Sequence, residues 1–389
     1  MVKRISDERI YMEIDLDALR GNYYELRKKL DKRADIIATI KADAYGLGAL
    51  QIGLELEKAG CGRFAVTFLE EAKLLRRGGI RGEILVMNPI EPDEIAAACE
   101  LGVETAFTSA AKARLLSDAA FAAGIVLRGE IKLDTGLGRL GISVCRSEET
   151  AAAEAEEIFS LAGLRVEGVF THITAASAVP GWDALNRLEL ERFKHVTDAL
   201  EKEGHKFKRH CLCSYPLTLY PEYTMDAVRV ASILYGCDPS GYPGFDIKPV
   251  LTLRARIIEV KTVPAGTPIG YGPLFVTLRE TRVAVTAIGF ADGLRRSVSN
   301  RGHMLVHGCS APIIGKVCCD HTMLDVTDIP DVSAGDMATV FGTDADASQT
   351  VADYEALYPA TAAELTSELS PRIPRYYSSN GSTLRYPDE

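Results

Sequence analysis

Between Ile36 and Leu234 the chain alternates short apolar runs with longer amphipathic ones, eight times over. The short runs are Ile36–Lys41, Phe64–Thr67, Ile84–Met87, Glu104–Phe107, Ile125–Leu133, Val166–His172, Lys208–Cys213 and Ala227–Leu234. Between them, Leu69–Arg77, Asp93–Leu101, Ala111–Ala123, Glu148–Leu161 and Ala184–Lys202 repeat apolar residues at spacings of three and four, the helix period. Strands joined by helical crossovers predict a parallel sheet. Eight units in about 230 residues suit an α/β fold of the (β/α)8 barrel type; a doubly wound open sheet is the alternative the same rhythm permits.

The rhythm stops at Gly236–Pro249 (GCDPSGYPGFDIKP), a Gly- and Pro-rich stretch that reads as a linker. Leu251–Val263, Arg282–Phe290, Met304–His307, Ala311–Val326 and Met337–Phe341 follow, with one helical stretch at Val351–Leu357. They predict a second, mainly antiparallel β domain. The expected boundaries are 11–240 for the barrel and 250–389 for the β domain, with residues 1–10 packing on the latter.

Charge narrows the partners. Lys plus Arg number 44 and Asp plus Glu 54, a net charge of −10, which repels nucleic acid and anionic membrane. No run reaches the ~18 apolar residues of a membrane span, and MVKRISDERIYMEID lacks the apolar centre of a signal peptide. Nine cysteines without an export signal read as reduced thiols of a cytoplasmic protein.

Barrel sites sit at the C-terminal ends of the strands, and there the expected strands deliver Lys41, Lys132 with Asp134, His172, Ser214 and Arg229. A lysine closing an apolar strand is costly unless paired or deprotonated. It is either a surface group just past the strand or a Schiff-base-forming amine whose pKa desolvation lowers. Gly136-Leu137-Gly138-Arg139-Leu140-Gly141 fits a dinucleotide fingerprint, but Ile142-Ser143-Val144 stands where that fingerprint needs a helix. In Cys318-Cys319-Asp320-His321, alternate residues on a strand face opposite ways, and Cys211-x-Cys213 lacks a second pair, so no metal site is expected. Tyr271, in Pro268-Ile-Gly-Tyr-Gly-Pro273, is either a turn-packing aromatic or a residue that its flanking glycines let approach a ligand.

These residues carry a family likeness. Ile40-Lys41-Ala42-Asp43-Ala44-Tyr45-Gly46-Leu47-Gly48 resembles the cofactor-attachment motif of alanine racemases, with Leu47 where that family usually has histidine. The resemblance continues in order through Lys132-Leu-Asp-Thr-Gly-Leu-Gly-Arg139, Thr171-His172, His210-x-x-Cys213-Ser214, Asp226-Ala-Val-Arg229, Leu234-Tyr235-Gly236, Gly270-Tyr271-Gly272, Ile288–Gly293, Gly315–Asp320 and Arg372-Ile-Pro-Arg375. It implies pyridoxal 5'-phosphate as cofactor, interconversion of L- and D-alanine (a peptidoglycan precursor in most bacterial relatives), and a homodimer whose active sites are shared between subunits.

By residue, the resemblance implies that Lys41 and the partner subunit's Tyr271 are the two acid/base groups. Tyr45, His172, Ser214, Arg229, Ala231 and Ser232 contact the cofactor with Lys41, and Arg229 faces its ring nitrogen. Arg139, Tyr271 and Cys319 meet the substrate, while Lys132 (carbamylated in some members), His210 and Asp320 stand behind. Cys319 replaces a usual methionine, Pro371 a phosphate-contacting tyrosine, Cys213 an asparagine and Phe290 a tyrosine. These departures keep open a serine or broad-specificity racemase. A non-catalytic cofactor-binding protein is the alternative of another class. A barrel-only homeostasis protein has no β domain, and a related decarboxylase places a carboxylate where Arg229 stands.

Overall fold

The computed structural model describes residues 5–174, 181–355, 357 and 360–385. Residues 1–4, 175–180, 356, 358–359 and 386–389, which fall within the expected domain bounds, lie outside that set. The chain enters through β1 (Ile10–Asp15) and a helix, Leu16–Lys29, capped by the Asp15 carboxylate. Eight parallel strands then form the barrel: β2 (Asp35–Thr39), β3 (Arg63–Val66), β4 (Glu83–Val86), β5 (Glu104–Phe107), β6 (Leu127–Asp134), β7 (Leu164–Phe170), β8 (Lys208–His210) and β9 (Ala227–Val230). Strand β9 returns to β2, Ala227 opposite Asp35. Between β8 and β9 the ladder thins to single bonds, Asp226 N to Arg209 O (3.1 Å) and Arg229 N to Leu212 O (3.0 Å), so the barrel is nearly closed.

Strands buried on both faces read as largely apolar runs, which made most of the eight visible in the sequence; the run Lys208–Cys213 is apolar only in its second half. Alternation decides which side chain goes where. Ile36 and Ala38 join the large core beneath the helices, while Ile37 points inward with Ala65, Leu85, Ala106, Phe170 and Ala227. Half of that inner set is alanine, and the space it leaves is filled by polar side chains described below.

The second domain is built on β10 (Leu251–Val263). Its first half pairs antiparallel with β1 and with β13 (Met337–Asp344). A bulge between Ile257 and Glu259 turns its second half onto β11 (Thr281–Thr286), which pairs with β12 (Thr322–Asp325). Strand β14 (Arg375–Ser379) lies parallel to β1 on its other side. Thus β1, met before the barrel, is a central strand of the β domain. No helix among the described residues is long and apolar enough to cross a membrane.

The linker is fastened to the first helix by one buried side chain. Asn22 Nδ2 donates to Leu234 O (2.9 Å) and Lys248 O (2.8 Å), and its Oδ1 accepts from Lys248 N (2.8 Å). Gly236 turns there at φ 58°, where a Cβ would stand 1.9 Å from Lys248 O. Asn22→Ala strands three backbone groups, each able to cost about 1–3 kcal/mol if left unpaired. A loss of roughly 2–4 kcal/mol is expected, read as a lower urea midpoint; an unchanged midpoint refutes the fastening role.

Candidate active site

A cavity of about 340 Å3 opens at the C-terminal ends of the barrel strands. Lys41, Tyr45, Lys132, Arg139, His172, Ser214, Arg229, Ala231 and Ser232, scattered over nearly 200 positions of sequence, all line it, and so does Cys213. Among the described residues no carboxylate does. Positive charges crowded without an anion depress one another's protonation. Burial, then Arg139 and Arg229, hold the Lys41 ammonium below its ordinary value. Burial with Arg229 and Arg139 brings Lys132 down to about 7, against a smaller opposing pull from Asp134. Burial and the same arginines push His172 well below the usual imidazole value, so its ring is neutral. Phe170, on the floor, has Lys132 Nζ 5.3 Å and the Arg229 guanidinium 5.2 Å from its ring centre, within cation–π range.

Lys41 sits just past β2, at the start of a turn with left-handed backbone. Ala42, Asp43, Ala44 and Tyr45 have φ of 51°, 54°, 52° and 56°, a conformation costing roughly 1–2 kcal/mol per residue with a Cβ. Its neighbours hold it there. The Glu71 carboxylate accepts from Ala42 N (2.6 Å), and Asp43 Oδ1 accepts from Ala49 N (2.8 Å). From β14 in the second domain, Arg375 Nε donates to Gly46 O (2.9 Å) and its Nη2 pairs with Asp43 (3.1 Å), while Tyr377 Oη donates to Leu47 O (2.9 Å). Neither Gly46 nor Gly48 has room for a side chain: a Cβ would come within 2.4 Å of Thr366 O or 1.9 Å of Tyr377 Oη. Leu47 itself is core.

The glycine-rich run after β6 wraps around Asp134, whose carboxylate accepts from Gly136 N (3.2 Å), Gly138 N (3.0 Å) and Arg139 N (2.9 Å). The loop presents Arg139 to the cavity, and Ile142–Ser143 returns as a short strand beside β6. The next helix starts only at Glu148, so the run lacks the helix opening of a dinucleotide site.

Below the cavity a line of polar groups descends the barrel axis. Arg229 Nη1 lies 2.8 Å from His210 Nδ1, and His210 Nε2 lies 2.6 Å from Glu130 Oε2. Glu130 Oε1 accepts from Arg63 Nη2 (3.0 Å), which also reaches Glu104 (3.1 Å). His210 was expected behind Arg229. Glu130, Arg63 and Glu104 were not picked out, although a charge inside an otherwise apolar strand was their signal.

Three expected residues stand elsewhere. Tyr271, on the hairpin joining Pro268–Ile269 to Phe275–Val276, is 69% exposed and does not line the cavity. Cys319 is exposed, and Asp320 pairs with Arg372 (2.7 Å). Of the substituted positions, burial pushes the Cys213 thiol up to about 11, and Phe290 carries the Arg296 guanidinium 4.5 Å above its ring.

Comparison with known proteins follows the same outline. The family profile described as alanine racemase, N-terminal domain, matches residues 14–239, and that of the C-terminal domain matches residues 250–377. An alanine racemase of Desulfosudis oleivorans is 34% identical over 97% of this chain and 99% of its own length. The crystal structure of alanine racemase from a D-cycloserine-producing Streptomyces lavendulae superposes with a TM-score of 0.87 at 33% identity, covering 96% of this chain and 97% of that one. Alanine racemase from Bartonella henselae, solved with covalently bound pyridoxal phosphate, gives 0.84 at 25% identity, covering 95% and 100%.

The crowding of charge has a measurable sign. Lys132 loses its proton at about 7 in the folded chain and at the ordinary 10.5 when exposed, so between those values the unfolded chain binds the extra proton and the wild-type fold gains stability as pH rises. In protein stripped of small molecules, Lys132→Met is expected to stabilise most at and below pH 7, and the gap in urea midpoints should close as pH climbs towards 10.5. A gap indifferent to pH rules out the burdened ammonium.

Proposed function

The chain belongs to the alanine racemase family, and on that premise we propose that it is a pyridoxal-phosphate-dependent alanine racemase working as a homodimer. The observation that carries the reading is Lys41, held at the rim of a barrel cavity that is rich in cations and, among the described residues, free of lining carboxylates. Such a lining suits a small dianion that also carries a carbonyl for the amine. Ser214, Tyr45 and the backbone at Ala231 and Ser232 would hold the phosphate. Ser214 Oγ already accepts from Ala231 N (3.0 Å), and Tyr242 Oη donates to Ser232 Oγ (2.6 Å), which orients both hydroxyls. Bound there, pyridoxal phosphate supplies the electron sink that acidifies the Cα–H of an amino acid joined to it.

The chain's own groups do the rest. Arg229 would donate to the ring nitrogen and keep its own proton, since a guanidinium is not deprotonated in proteins. Arg139 would hold the substrate carboxylate. Inverting Cα needs a proton taken from one face and returned on the other. Lys41 Nζ, its pKa already lowered, serves one face. For the other we assign Tyr271 of the partner subunit, which explains why this tyrosine sits exposed on a projecting hairpin; Cys319 of the partner subunit would line the substrate space beside it.

Proton NMR in D2O, with a panel of single L-amino acids that includes serine, tests this directly. Alanine is expected to lose its α-proton signal fastest and to yield the D-isomer, and Lys41→Ala should abolish exchange. Tyr271→Phe should slow α-proton exchange of one enantiomer by roughly 100-fold or more relative to the other. Racemisation kcat/KM must fall equally both ways, because the enantiomers have equal free energy. Faster exchange of serine would reassign the substrate, and equal, slight losses in Tyr271→Phe would remove it from the role.

A further inference from the structure

Arg229 is a buried guanidinium, and among the described residues no anion touches it. Nη1 donates to His210 Nδ1 (2.8 Å) and Nη2 to Thr171 O (2.8 Å), with His172 Nδ1 at 3.3 Å. The nearest carboxylate along its hydrogen bonds is that of Glu130, one residue further on, fully buried and bonded at both oxygens. Glu130 lies two positions before Lys132 on β6, so both side chains point into the barrel.

Donor and acceptor arithmetic leaves His210 a single arrangement. A guanidinium has only donors, so Nδ1 must be unprotonated; a carboxylate only accepts, so Nε2 must carry the hydrogen. A doubly protonated ring would set N–H against N–H at Arg229. Burial outweighs the pull of Glu130 and holds His210 below its ordinary value, in keeping with a neutral ring. Phe170, stacked on the ring at 4° and 5.2 Å, closes off one face.

We infer that Glu130 is a positioning residue: by accepting from Nε2 it fixes the tautomer of His210, which in turn aims Arg229 at the cavity floor. Arg63, paired to Glu130, Glu104 and Glu83 (2.8 Å), anchors the carboxylate from below. The assignment rests on the reading of Arg229 as the group that meets the cofactor ring.

Glu130→Gln tests it without changing shape. Arg63 offers only donors, so the amide must give it the oxygen and present its NH2 to His210. Nε2 then has to accept, and the ring proton moves to Nδ1, against Arg229. The experiment uses the full chain loaded with pyridoxal phosphate and labelled with 15N-histidine; the His210 signals, among seven histidines, are those lost in His210→Gln. In the wild type a neutral ring protonated at Nε2 is expected. In Glu130→Gln the proton should sit on Nδ1, with kcat/KM for alanine lower on the order of tenfold, the low end of what losing the outer partner of a metal-ligating histidine costs. A wild-type ring protonated at Nδ1 or at both nitrogens overturns the inference whether or not the variant folds. So does a variant that keeps the wild-type tautomer. If the wild type exchanges no alanine α-proton yet both tautomers are as expected, the racemase reading fails and the positioning of Arg229 stands.

Discussion

Two lysines and two arginines face one cavity of about 340 Å3, and among the described residues no carboxylate shares its lining. Like charges a few ångströms apart near a protein surface repel by about 4 kcal/mol at most per pair before solvent and proton loss relieve them. Much else in the barrel can be read as a response to that strain. The lysines sit below their ordinary pKa, Asp134 backs the loop that carries Arg139, and Glu130 supplies negative charge to Arg229 at one remove. A dianionic ligand relieves the remainder, so the fold is best matched to its contents when the cavity is filled.

The second constraint is geometric. Four consecutive left-handed residues after Lys41 amount to several kcal/mol of local strain by the usual per-residue figure, and they hold only because surrounding groups over-determine them. Some of those groups come from the barrel (Glu71, Asp43) and some from β14 of the other domain (Arg375, Tyr377). The β domain therefore shapes the site within its own chain, in addition to the role proposed for it across a dimer.

The parts legible in the sequence were those with local signals. Strands buried on both faces show as apolar runs, and polar residues closing them announce Lys41, Lys132, His172 and Arg229. The parts that were not legible depend on partners far along the chain. Glu130, Arg63 and Glu104 interrupt their strands as isolated charges, and only closing the barrel shows that they meet. Ile10–Asp15 alternates like any edge strand, yet its partners are Leu251–Ala255 and Arg375–Ser378. Ala42–Tyr45 take left-handed backbone with no glycine among the four, because contacts from elsewhere enforce it. Tyr271 was singled out from its loop, but nothing in a single chain brings it to the cavity.

The grip of β14 on the lysine turn also sets an order of events in synthesis. Arg375 is made 329 residues after Gly46, whose carbonyl it holds, and Tyr377 follows Leu47 by 330. A ribosome that has released the whole barrel has still not released the groups that lock Lys41 in place. Even once β9 has met β2 and the barrel is assembled, its reactive amine stays unaimed until translation is almost complete. A chain ending before β14 would therefore lack the groups that set the lysine, and could not hold a reactive aldehyde in working geometry.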